Sequence, residues 1–383
     1  MNTKVFYQWM EPGVTVEYRT GVSLHSHTNH SQESLGFLVK IVQQRPILKR
    51  FFEHKIRRCK AKSGFQVDLT KTYWTPPLSP RMAFDLESGQ ISELGLHPLV
   101  SITDHDNIEA PILLQALKGS SEQVPVSVEW SVPIGNVLFH LGVHNLPAEN
   151  AQSILADFAE YTASPKASRA TELLESLCRI PEVLVVLNHP LWDLEQNGAQ
   201  IHLKALSHFL RTNGQFIHAL ELNGLRNWEE NRAVRQLAAG WNRPVVSGGD
   251  RHGCEPNAIV NLTNAGTFAE FVEDVRDGHS HVLVLQQYSE PMQLRVLQTV
   301  LDAIRHYPDH PRASQSWDDR LFHPLANGTY AAVSSMWTDG QPRFFERIFS
   351  ILRVVEHGPM RTAIRRALHD ESRLKIALNL ATE

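Results

Sequence analysis

The sequence predicts an α/β protein whose parallel strands close into a barrel, and three observations support this fold class. Short apolar runs rich in β-branched residues alternate with segments whose apolar residues recur at helical spacing. About seven or eight such strands can be recognised, and polar groups gather at their carboxyl ends. A barrel brings those ends together on one face, whereas an open sheet spreads them along a line, so a barrel is favoured.

The first part of the chain is predicted to begin with strands and to continue in helices. Residues 14–27 form one or two strands, and the apolar spacing over 34–59 is helical with a break at Pro46. A further helix begins after Ser79, whose side chain is a suitable N-cap, and stops at Gly95. Together these helices form an inserted helical segment over about 34–96.

Strands and helices then alternate as far as residue 285. The predicted strands cover 99–103, 124–128, 137–144, 183–187, 216–220, 245–249 and 282–285, and further helices cover about 148–161, 167–178, 228–240 and 267–277. From about residue 289 the pattern changes to amphipathic helices over roughly 291–305, 342–356 and 360–380. The predicted domains are therefore a barrel over 1–288, which includes the insertion, and a helical C-terminal extension over 289–383.

Composition and charge exclude several classes of protein. The 383 residues carry a formal net charge of −4, which gives no general attraction to nucleic acid or to anionic membranes. Three widely spaced cysteines without C-x-x-C spacing predict neither a disulfide framework nor a structural zinc site. The first residues lack the apolar stretch of a signal peptide, and no apolar run reaches the ~20 residues of a membrane span. We therefore expect a cytoplasmic protein without a membrane segment.

Histidines and carboxylates recur where the predicted strands end. His25 and His27 lie two residues apart in an extended segment, so both rings are predicted to point to the same side. Imidazole nitrogen binds zinc, iron or manganese, and one zinc ion takes only about four ligands. The strand-end groups exceed that number, so two or three divalent ions are expected, with Glu129 bridging a pair. These groups are His25, His27, His105, Glu129, His140, His144, His189, Asp250 and His252.

The strand-end motifs resemble those of the polymerase-and-histidinol-phosphatase (PHP) superfamily from about residue 20 to residue 285. The matching segments are His25-x-His27, Ile102-Thr103-Asp104-His105-Asp106, Val128-Glu129, Asn188-His189-Pro190 and Gly249-Asp250-x-His252. The resemblance implies a distorted (β/α)7, TIM-like barrel with two or three Zn, Mn or Fe ions that hydrolyses phosphate esters.

The resemblance also implies how the ligands are shared among the ions. His25 and His27 would hold one ion together with Glu129 and Asp250. His189 would hold the second ion with a histidine of the 137–144 strand. The third ion would be held, or the second completed, by His105 and His252.

Two ligand positions leave alternatives open. After the H-x-H motif, Gln32 stands where the family often has Asp, so either His30 or Glu33 substitutes for it or the third ion is absent or weakly held. Both His140 and His144 fit the parity of their strand, and His144 is favoured because it is nearer the carboxyl end.

Catalytic roles are expected for residues beside or among the ligands. Glu129 and Asp250 are expected to act in catalysis as well as in metal binding. Arg251 is a candidate for binding phosphate, and a surface salt bridge is its alternative role. Asp104 and Asp106 are expected to orient His105 or nearby water, although Asp104 could equally cap the helix that follows.

The sequence thus predicts a hydrolase, a metal-dependent phosphoesterase acting on a small phosphorylated metabolite or a nucleotide through a metal-activated hydroxide. One alternative is a non-catalytic, metal-bound barrel that acts as a binding or regulatory module. A second is a PHP-type nuclease that uses the basic segment 49–62, although the acidic overall balance disfavours long nucleic acid. A C–N hydrolase of the amidohydrolase type would need a metal-bridging Lys at a strand end, and no candidate is found.

Overall fold

The chain is a mixed α/β protein in a computed structural model. The structure describes residues 3–36, 43, 45–46, 49–50, 53–54, 57, 68–118, 124–307, 316–337, 347, 350 and 358–368. Within them the strands are β1 (Val5–Tyr7), β2 (Thr20–Ser23), β3 (Glu33–Ser34), β4 (Tyr73–Trp74), β5 (His97–Val100), β6 (Val126–Ile134), β7 (Val137–Leu146), β8 (Leu184–Asn188), β9 (Ala219–Asn223), β10 (Val245–Gly248), β11 (Ile259–Thr263), β12 (His281–Val284), β13 (Leu321–Pro324) and β14 (Tyr330–Ala332). The α-helices are α1 (Pro80–Glu93), α2 (Glu109–Lys118), α3 (Ala151–Ala163), α4 (Ala167–Cys178), α5 (Ala199–Asn213), α6 (Trp228–Gly240), α7 (Phe268–Asp277), α8 (Met292–Ile304) and α9 (Gly358–Leu368).

Most strands belong to two five-stranded sheets. Their strand orders are β1-β12-β11-β2-β5 and β10-β9-β8-β7-β6. Single parallel bridges join the two sheets in two places, between His105 and Glu129 and between Ser26 and Arg251. The α/β class is therefore confirmed. Among the described residues the ladders form two sheets rather than one continuous closed ladder, so the (β/α)7 barrel stays a prediction.

The prediction that the strands all run parallel is wrong at β11, which is antiparallel to β2 and β12, and at β6 and β7. Strands β6 and β7 form an antiparallel hairpin, and β7 is also antiparallel to β8. The hairpin turns at Gly135 and Asn136, between the paired residues Ile134 and Val137, and Gly135 has φ +60°. Gly-Asn is a dipeptide typical of tight hairpins. The strand predicted over 124–128 therefore continues to Ile134, and Glu129 lies within a strand rather than at its end.

Aromatic packing holds the β6–β7 hairpin in place. The indole of Trp130 on β6 stacks on Phe158 of α3, with ring centroids 4.1 Å apart and an angle of 9° between the rings. On β7, Phe139 stacks on Phe209 of α5 at 5.5 Å. All four rings are buried, so the helices fix the strands that carry Glu129 and His140.

The caps predicted for helix α1 are confirmed. The Ser79 hydroxyl accepts a hydrogen bond from the Met82 amide, and Pro80 is the first helical residue. Gly95 follows the helix with φ +76°, a conformation that glycine adopts without steric cost. None of the described helices is long and apolar enough to cross a membrane.

The C-terminal extension is not purely helical, which corrects the prediction. Helix α8 confirms the helix expected over 291–305. However, β13 and β14 form a hairpin that pairs with β4, giving a four-stranded sheet of order β14-β13-β4-β3. Of the helix predicted over 360–380, the structure describes α9. The helices predicted over 34–59 and 342–356, and the basic segment 49–62, lie mostly outside the described residues.

Candidate metal centre

Glu129 lies at the centre of a buried group of histidines. Its side chain is 0% exposed, and the Asn188 amide donates a hydrogen bond of 2.9 Å to its Oε1 atom. Five imidazole nitrogens lie within 3.3 Å of the carboxylate: His25 Nε2, His27 Nε2 and His105 Nδ1 beside Oε2, and His140 Nδ1 and His189 Nε2 beside Oε1. One carboxylate from the middle of β6 therefore connects histidines from four other segments of the chain.

Two further carboxylates contact the same rings. Glu33 Oε2 lies 3.0 Å from His252 Nε2 and 3.3 Å from His105 Nε2. The Oδ1 atom of Asp250 lies 3.4 Å from His252 Nδ1 and 3.6 Å from the Nε2 atoms of both His25 and His27. The rings are stacked as well, since the centroids of His27 and His252 are 4.2 Å apart. Carboxylates and imidazoles thus alternate through one continuous cluster.

Left-handed backbone turns three of these side chains into the cluster. His25, His189 and Asp250 have φ +63°, +27° and +51°, and each lies within two residues of the end of β2, β8 or β10. A non-glycine residue in such a conformation costs about 1–3 kcal/mol, and this strain is concentrated at functional sites. The predicted strand from 14 to 27 is therefore wrong in detail, because Val14–Glu17 is a 3-10 helix and β2 ends at Ser23.

The cluster suits divalent cations. Three groups of side chains each place their possible ligand atoms within 4.8 Å of one another: His27, Glu33, His105 and His252; His25, His27 and Glu129; and His105, Glu129 and His140. Several of these atoms are buried without a hydrogen-bond partner, namely His25 Nε2, His27 Nε2, His140 Nδ1 and Glu129 Oε2. Buried polar atoms are nearly always satisfied in proteins, and imidazole with carboxylate is a common donor set for zinc, manganese and iron.

The cluster is strongly coupled electrostatically. Burial opposes a charge on His25 and His105, but nearby carboxylates outweigh it. Glu129 is the main cause that raises the pKa of His25 well above its usual value, and Glu33 with Glu129 raises the pKa of His105 to about 10. Burial likewise opposes ionisation of Glu33 and Glu129, but the histidines hold the pKa of each carboxyl well below its usual value. Without cations, these shifts favour imidazolium–carboxylate pairs at His25 and His105, whereas burial lowers the pKa of His140.

Glu221, which is not among the predicted strand-end ligands, supports the cluster. On β9, its Oε1 atom makes a short hydrogen bond with His25 Nδ1. Its Oε2 atom accepts bonds from the His189 amide at 2.7 Å and from the Asn223 side chain at 3.1 Å. A carboxylate bonded to one ring nitrogen fixes the histidine tautomer and leaves the other nitrogen for a metal.

His140, rather than His144, belongs to the cluster. The preference for His144 assumed that the carboxyl end of its strand faces the site. Because β7 runs antiparallel to β8, its beginning lies beside the end of β8, where His140 pairs with Asn188. His144 instead shares a hydrogen bond of 2.8 Å with the Ser101 hydroxyl, and burial lowers its pKa to about 3.

Two predicted site residues, Arg251 and Asp104, have other partners. Arg251 is buried, and its guanidinium donates to Glu87 Oε1 and to the carbonyls of Gly253 and His27, each at 2.9 Å. Asp104 accepts bonds from the amide and hydroxyl of Thr28 at 2.5 and 2.6 Å, so it neither caps α2 nor contacts His105 by a hydrogen bond. These residues support the segment that carries His27. The salt bridge of Arg251 is buried against Glu87 rather than at the surface, and its bonded guanidinium gives no support for phosphate binding.

His30 pairs with Glu109 outside the three groups of possible ligands. The distance from His30 Nδ1 to Glu109 Oε2 is 2.8 Å. Of the two substitutes that the sequence offered for Gln32, the structure therefore brings Glu33 into the cluster.

An arginine beside the cluster was missed by the sequence analysis. The guanidinium carbon of Arg226 lies 3.7 Å from the centroid of the Trp192 ring, and that ring meets His189 edge to face at 5.1 Å. Both residues follow strand ends, Trp192 after β8 and Arg226 after β9. The sequence shows Asn223-Gly224-Leu225-Arg226 without any partner for the cation, so only the tertiary contact with Trp192 identifies it.

Comparisons with known proteins gave limited similarity. No family model matches the chain, and no curated protein matches it. Among solved structures, PsfC from Pseudomonas syringae PB-5123 is 13% identical with a TM-score of 0.41, over 74% of this chain and 97% of that one. A protein from Bifidobacterium adolescentis, proposed to be a metal-dependent phosphoesterase, is 17% identical with a TM-score of 0.33, over 53% of this chain and 92% of that one.

An amidohydrolase from Chromobacterium violaceum, with bound sulfate and no metal, is also similar. It is 13% identical with a TM-score of 0.33, over 60% of this chain and 87% of that one. All three scores are below 0.5, so these likenesses carry no weight for fold or function.

Proposed function

We propose that this chain is a PHP-type phosphoesterase that uses two or three divalent ions to hydrolyse an ester of a small phosphorylated metabolite or a nucleotide. The observation that carries the proposal is the position of Glu129. This buried carboxylate belongs to two of the three groups that could hold ions, and it adjoins five imidazoles. Closely spaced ions are suited to clamping the oxygens of a phosphoryl group during displacement.

The residues of the centre have separate tasks in this proposal. His25 and His27 would hold one ion with Glu129, and the groups around Glu33 and His140 would hold the others. When bound, the ions would lower the pKa of water and neutralise charge on the phosphoryl group. Glu221 orients the His25 ring through its Nδ1 atom.

Arg226 is the proposed cation for binding substrate phosphate. Arg251 cannot take this role, because its guanidinium is already bonded to Glu87 and to two carbonyls. The Arg226 guanidinium instead rests on Trp192 beside His189. Its charge also acts on the half-buried Glu230 carboxyl, whose pKa burial raises and Arg226 partly lowers again. Arginine offers a planar fork of donors that matches phosphate oxygens.

The test is metal analysis of the purified protein, followed by a panel of phosphomonoesters and diesters with added Mn²⁺. We expect bound divalent metal and release of inorganic phosphate from a monoester, and we expect His27→Ala to abolish release while the protein stays folded. Bound metal with no release from any ester would favour the non-catalytic, metal-bound module, and absence of bound metal would contradict the proposal. Cleavage of nucleic acid alone would indicate the nuclease.

Arg226→Gln tests the role of the guanidinium. A hydrogen bond to a charged group contributes about 1.5–3 kcal/mol, so KM for the monoester should rise by roughly 10- to 100-fold while bound metal stays unchanged. The matched control is Arg179→Gln, directly after α4, since that side chain is 74% exposed and pairs only with Glu175 among the described residues. Equal KM values for the two variants would rule out phosphate binding by Arg226.

A further inference from the structure

Glu33 differs from the other carboxylates of the metal centre in where it is built. Glu129 and Asp250 lie on or beside the strands of the large sheets, whereas Glu33 lies on β3, the edge strand of the small sheet β14-β13-β4-β3. β3 has only two residues. A strand this short has no stability of its own, so its position depends on the strands beside it.

The small sheet connects Glu33 to the C-terminal extension through a continuous ladder. Glu33 pairs with Trp74 of β4, and Trp74 pairs in turn with Leu321 of β13. The Thr75 amide extends this ladder by donating to the Arg320 carbonyl at 2.9 Å. A segment about 290 residues away along the chain is thus two strands away from a candidate metal ligand.

Arg320 fixes the hairpin to helix α8. Its side chain is only 1% exposed, and the guanidinium donates to the carbonyls of Ala303 and Arg305 at 2.6 and 2.8 Å. Those carbonyls lie at the C-terminal end of the helix, where backbone acceptors have no helical partner. The hairpin is therefore held to the rest of the extension and is not a free flap.

Trp74 contacts the cluster on one side and the hairpin on the other. Its ring is nearly parallel to that of His252, at 22° with centroids 6.3 Å apart. It also packs against a small hydrophobic core formed by Leu321, Val333 and Trp337. This core is separate from the other three buried apolar clusters of the described residues. The side chains that stabilise the hairpin thus also support His252.

We propose that the C-terminal hairpin completes the metal centre, with Trp74 and Leu321 acting as positioning residues for Glu33 and His252. The ion affected is the one held by His27, Glu33, His105 and His252, and the inference rests on the proposed metal-dependent function. The insertion and the extension, which together form the small sheet, are therefore structural parts of the site. If the extension had no such role, substitutions that weaken the small core of Leu321, Val333 and Trp337 would leave metal binding unchanged.

The test measures Mn²⁺ bound per chain by equilibrium dialysis, using the full-length protein. Leu321→Ala and Trp74→Ala should weaken one class of site by about 10- to 100-fold, the usual cost of disturbing a residue that orients a ligand, and leave the remaining sites unchanged. Glu33→Gln should remove the same class of site. Trp74→Phe keeps an aromatic ring beside His252 and should restore binding to near the wild-type value.

Leu206→Ala is the matched control, because Leu206 on α5 is 2% exposed but belongs to a different hydrophobic cluster from Leu321. Circular dichroism shows whether each variant is folded. If Leu321→Ala is not folded, the comparison of Trp74→Ala with Trp74→Phe carries the test. Wild-type Mn²⁺ binding by folded Leu321→Ala and Trp74→Ala would overturn the proposal, as would equal loss in Leu206→Ala.

Phosphate release on the same preparations separates this inference from the proposed function. One outcome is that the wild type binds Mn²⁺ but releases no phosphate, while Leu321→Ala binds Mn²⁺ more weakly. This outcome would refute the phosphoesterase and support the hairpin's role. If the wild type releases phosphate but the hairpin variants bind Mn²⁺ as the wild type does, the phosphoesterase is supported and the hairpin's role is refuted. Wild-type protein that binds no Mn²⁺ would overturn both.

Discussion

Glu129 is the residue on which the proposed metal centre would depend most. It is fully buried among five imidazoles, so glutamine would preserve its shape and remove its charge. We expect Glu129→Gln to lower both bound metal and phosphate release by at least about 100-fold, more than the about 10- to 100-fold cost of changing a residue that only orients a ligand. Elemental analysis and a phosphate assay measure these quantities.

Glu160→Gln makes the same chemical change on the exposed surface of α3 and should have no effect. Metal content at the wild-type level in Glu129→Gln would show that Glu129 is not a ligand.

Metal uptake should release protons. In the metal-free chain the pKa of His105 is raised to about 10 because Glu33 and Glu129 outweigh its burial, so the ring is protonated at pH 7. A metal ligand must be deprotonated, so binding displaces that proton and affinity for Mn²⁺ should rise with pH. Calorimetry at pH 7 in two buffers of different ionisation enthalpy measures the release. Identical binding heats in the two buffers would contradict the assignment of His105.

Sequence patterns identify ligands that occur in short motifs and miss those made by distant contacts. His25, His27 and Asp250 could be found because the motifs around them are local. Arg251 was misassigned because its partner, Glu87, is 164 residues away. Arg226 was missed for the same reason, since its contact with Trp192 joins two separate loops.

At the scale of elements, the direction of β7 decides which histidine reaches the site. Strand side chains alternate with a period of two in either direction, so parity alone admits both His140 and His144. The turn at Gly135 and Asn136 carried the missing information, because it reverses the chain and places the start of β7 beside the end of β8. Helix α1, by contrast, was predictable to its ends because Ser79 and Gly95 act locally.

Gly248 at the end of β10 is required by its neighbour. A Cβ atom there would lie 1.6 Å from Glu221 Oε1, which is far inside contact distance. Gly248→Ala should therefore displace Glu221 from His25 and weaken metal binding by about 10- to 100-fold, as dialysis against Mn²⁺ would measure.

Gly240→Ala is the control, because a Cβ atom at that position, the last residue of α6, meets nothing within 4 Å beyond the adjoining backbone of its own helix. Unchanged Mn²⁺ affinity in Gly248→Ala would show that Glu221 does not need its present position.

For the whole molecule, His218 links stability to pH at a place remote from the metal centre. Its Nδ1 atom accepts a hydrogen bond of 2.9 Å from the Val185 amide, and its other nitrogen lies 3.4 Å from the Arg276 guanidinium. Burial, together with the nearby cations of Arg276 and Arg243, lowers the pKa of His218 to about 3. The ring is therefore neutral in the folded protein down to strongly acidic pH.

This lowered pKa predicts acid sensitivity. Above about pH 6.5 the ring is neutral in both the folded and the unfolded chain, so it adds no pH dependence. Below that pH the unfolded chain binds a proton that the folded chain does not, so the free energy of unfolding falls by up to about 1.4 kcal/mol per pH unit until pH nears 3. The free energy of unfolding, measured with denaturant at several pH values between 7 and 4, should therefore fall less steeply with decreasing pH in His218→Gln than in the wild type.

His279→Gln is the matched control, since that side chain is 73% exposed. If the free energy of unfolding fell equally with decreasing pH in the wild type and in His218→Gln, the buried His218 ring would not be a cause of the acid sensitivity.

The alternation of strands and helices was readable across most of the molecule because apolar runs and helical spacing are local properties. The pairing of the insertion with the C-terminal hairpin could not be predicted from the sequence, because β3 and β4 have two residues each and show no periodicity. Short strands of this kind are specified by what they pair with, which a single sequence does not display.

The left-handed backbone at His25, His189 and Asp250 limits which amino acids a redesigned version of this protein could carry there. Histidine and aspartate tolerate that conformation better than most residues, whereas valine, isoleucine and threonine do not. A mutant library that aims to alter substrate range should therefore randomise the surrounding loops and leave these three codons fixed.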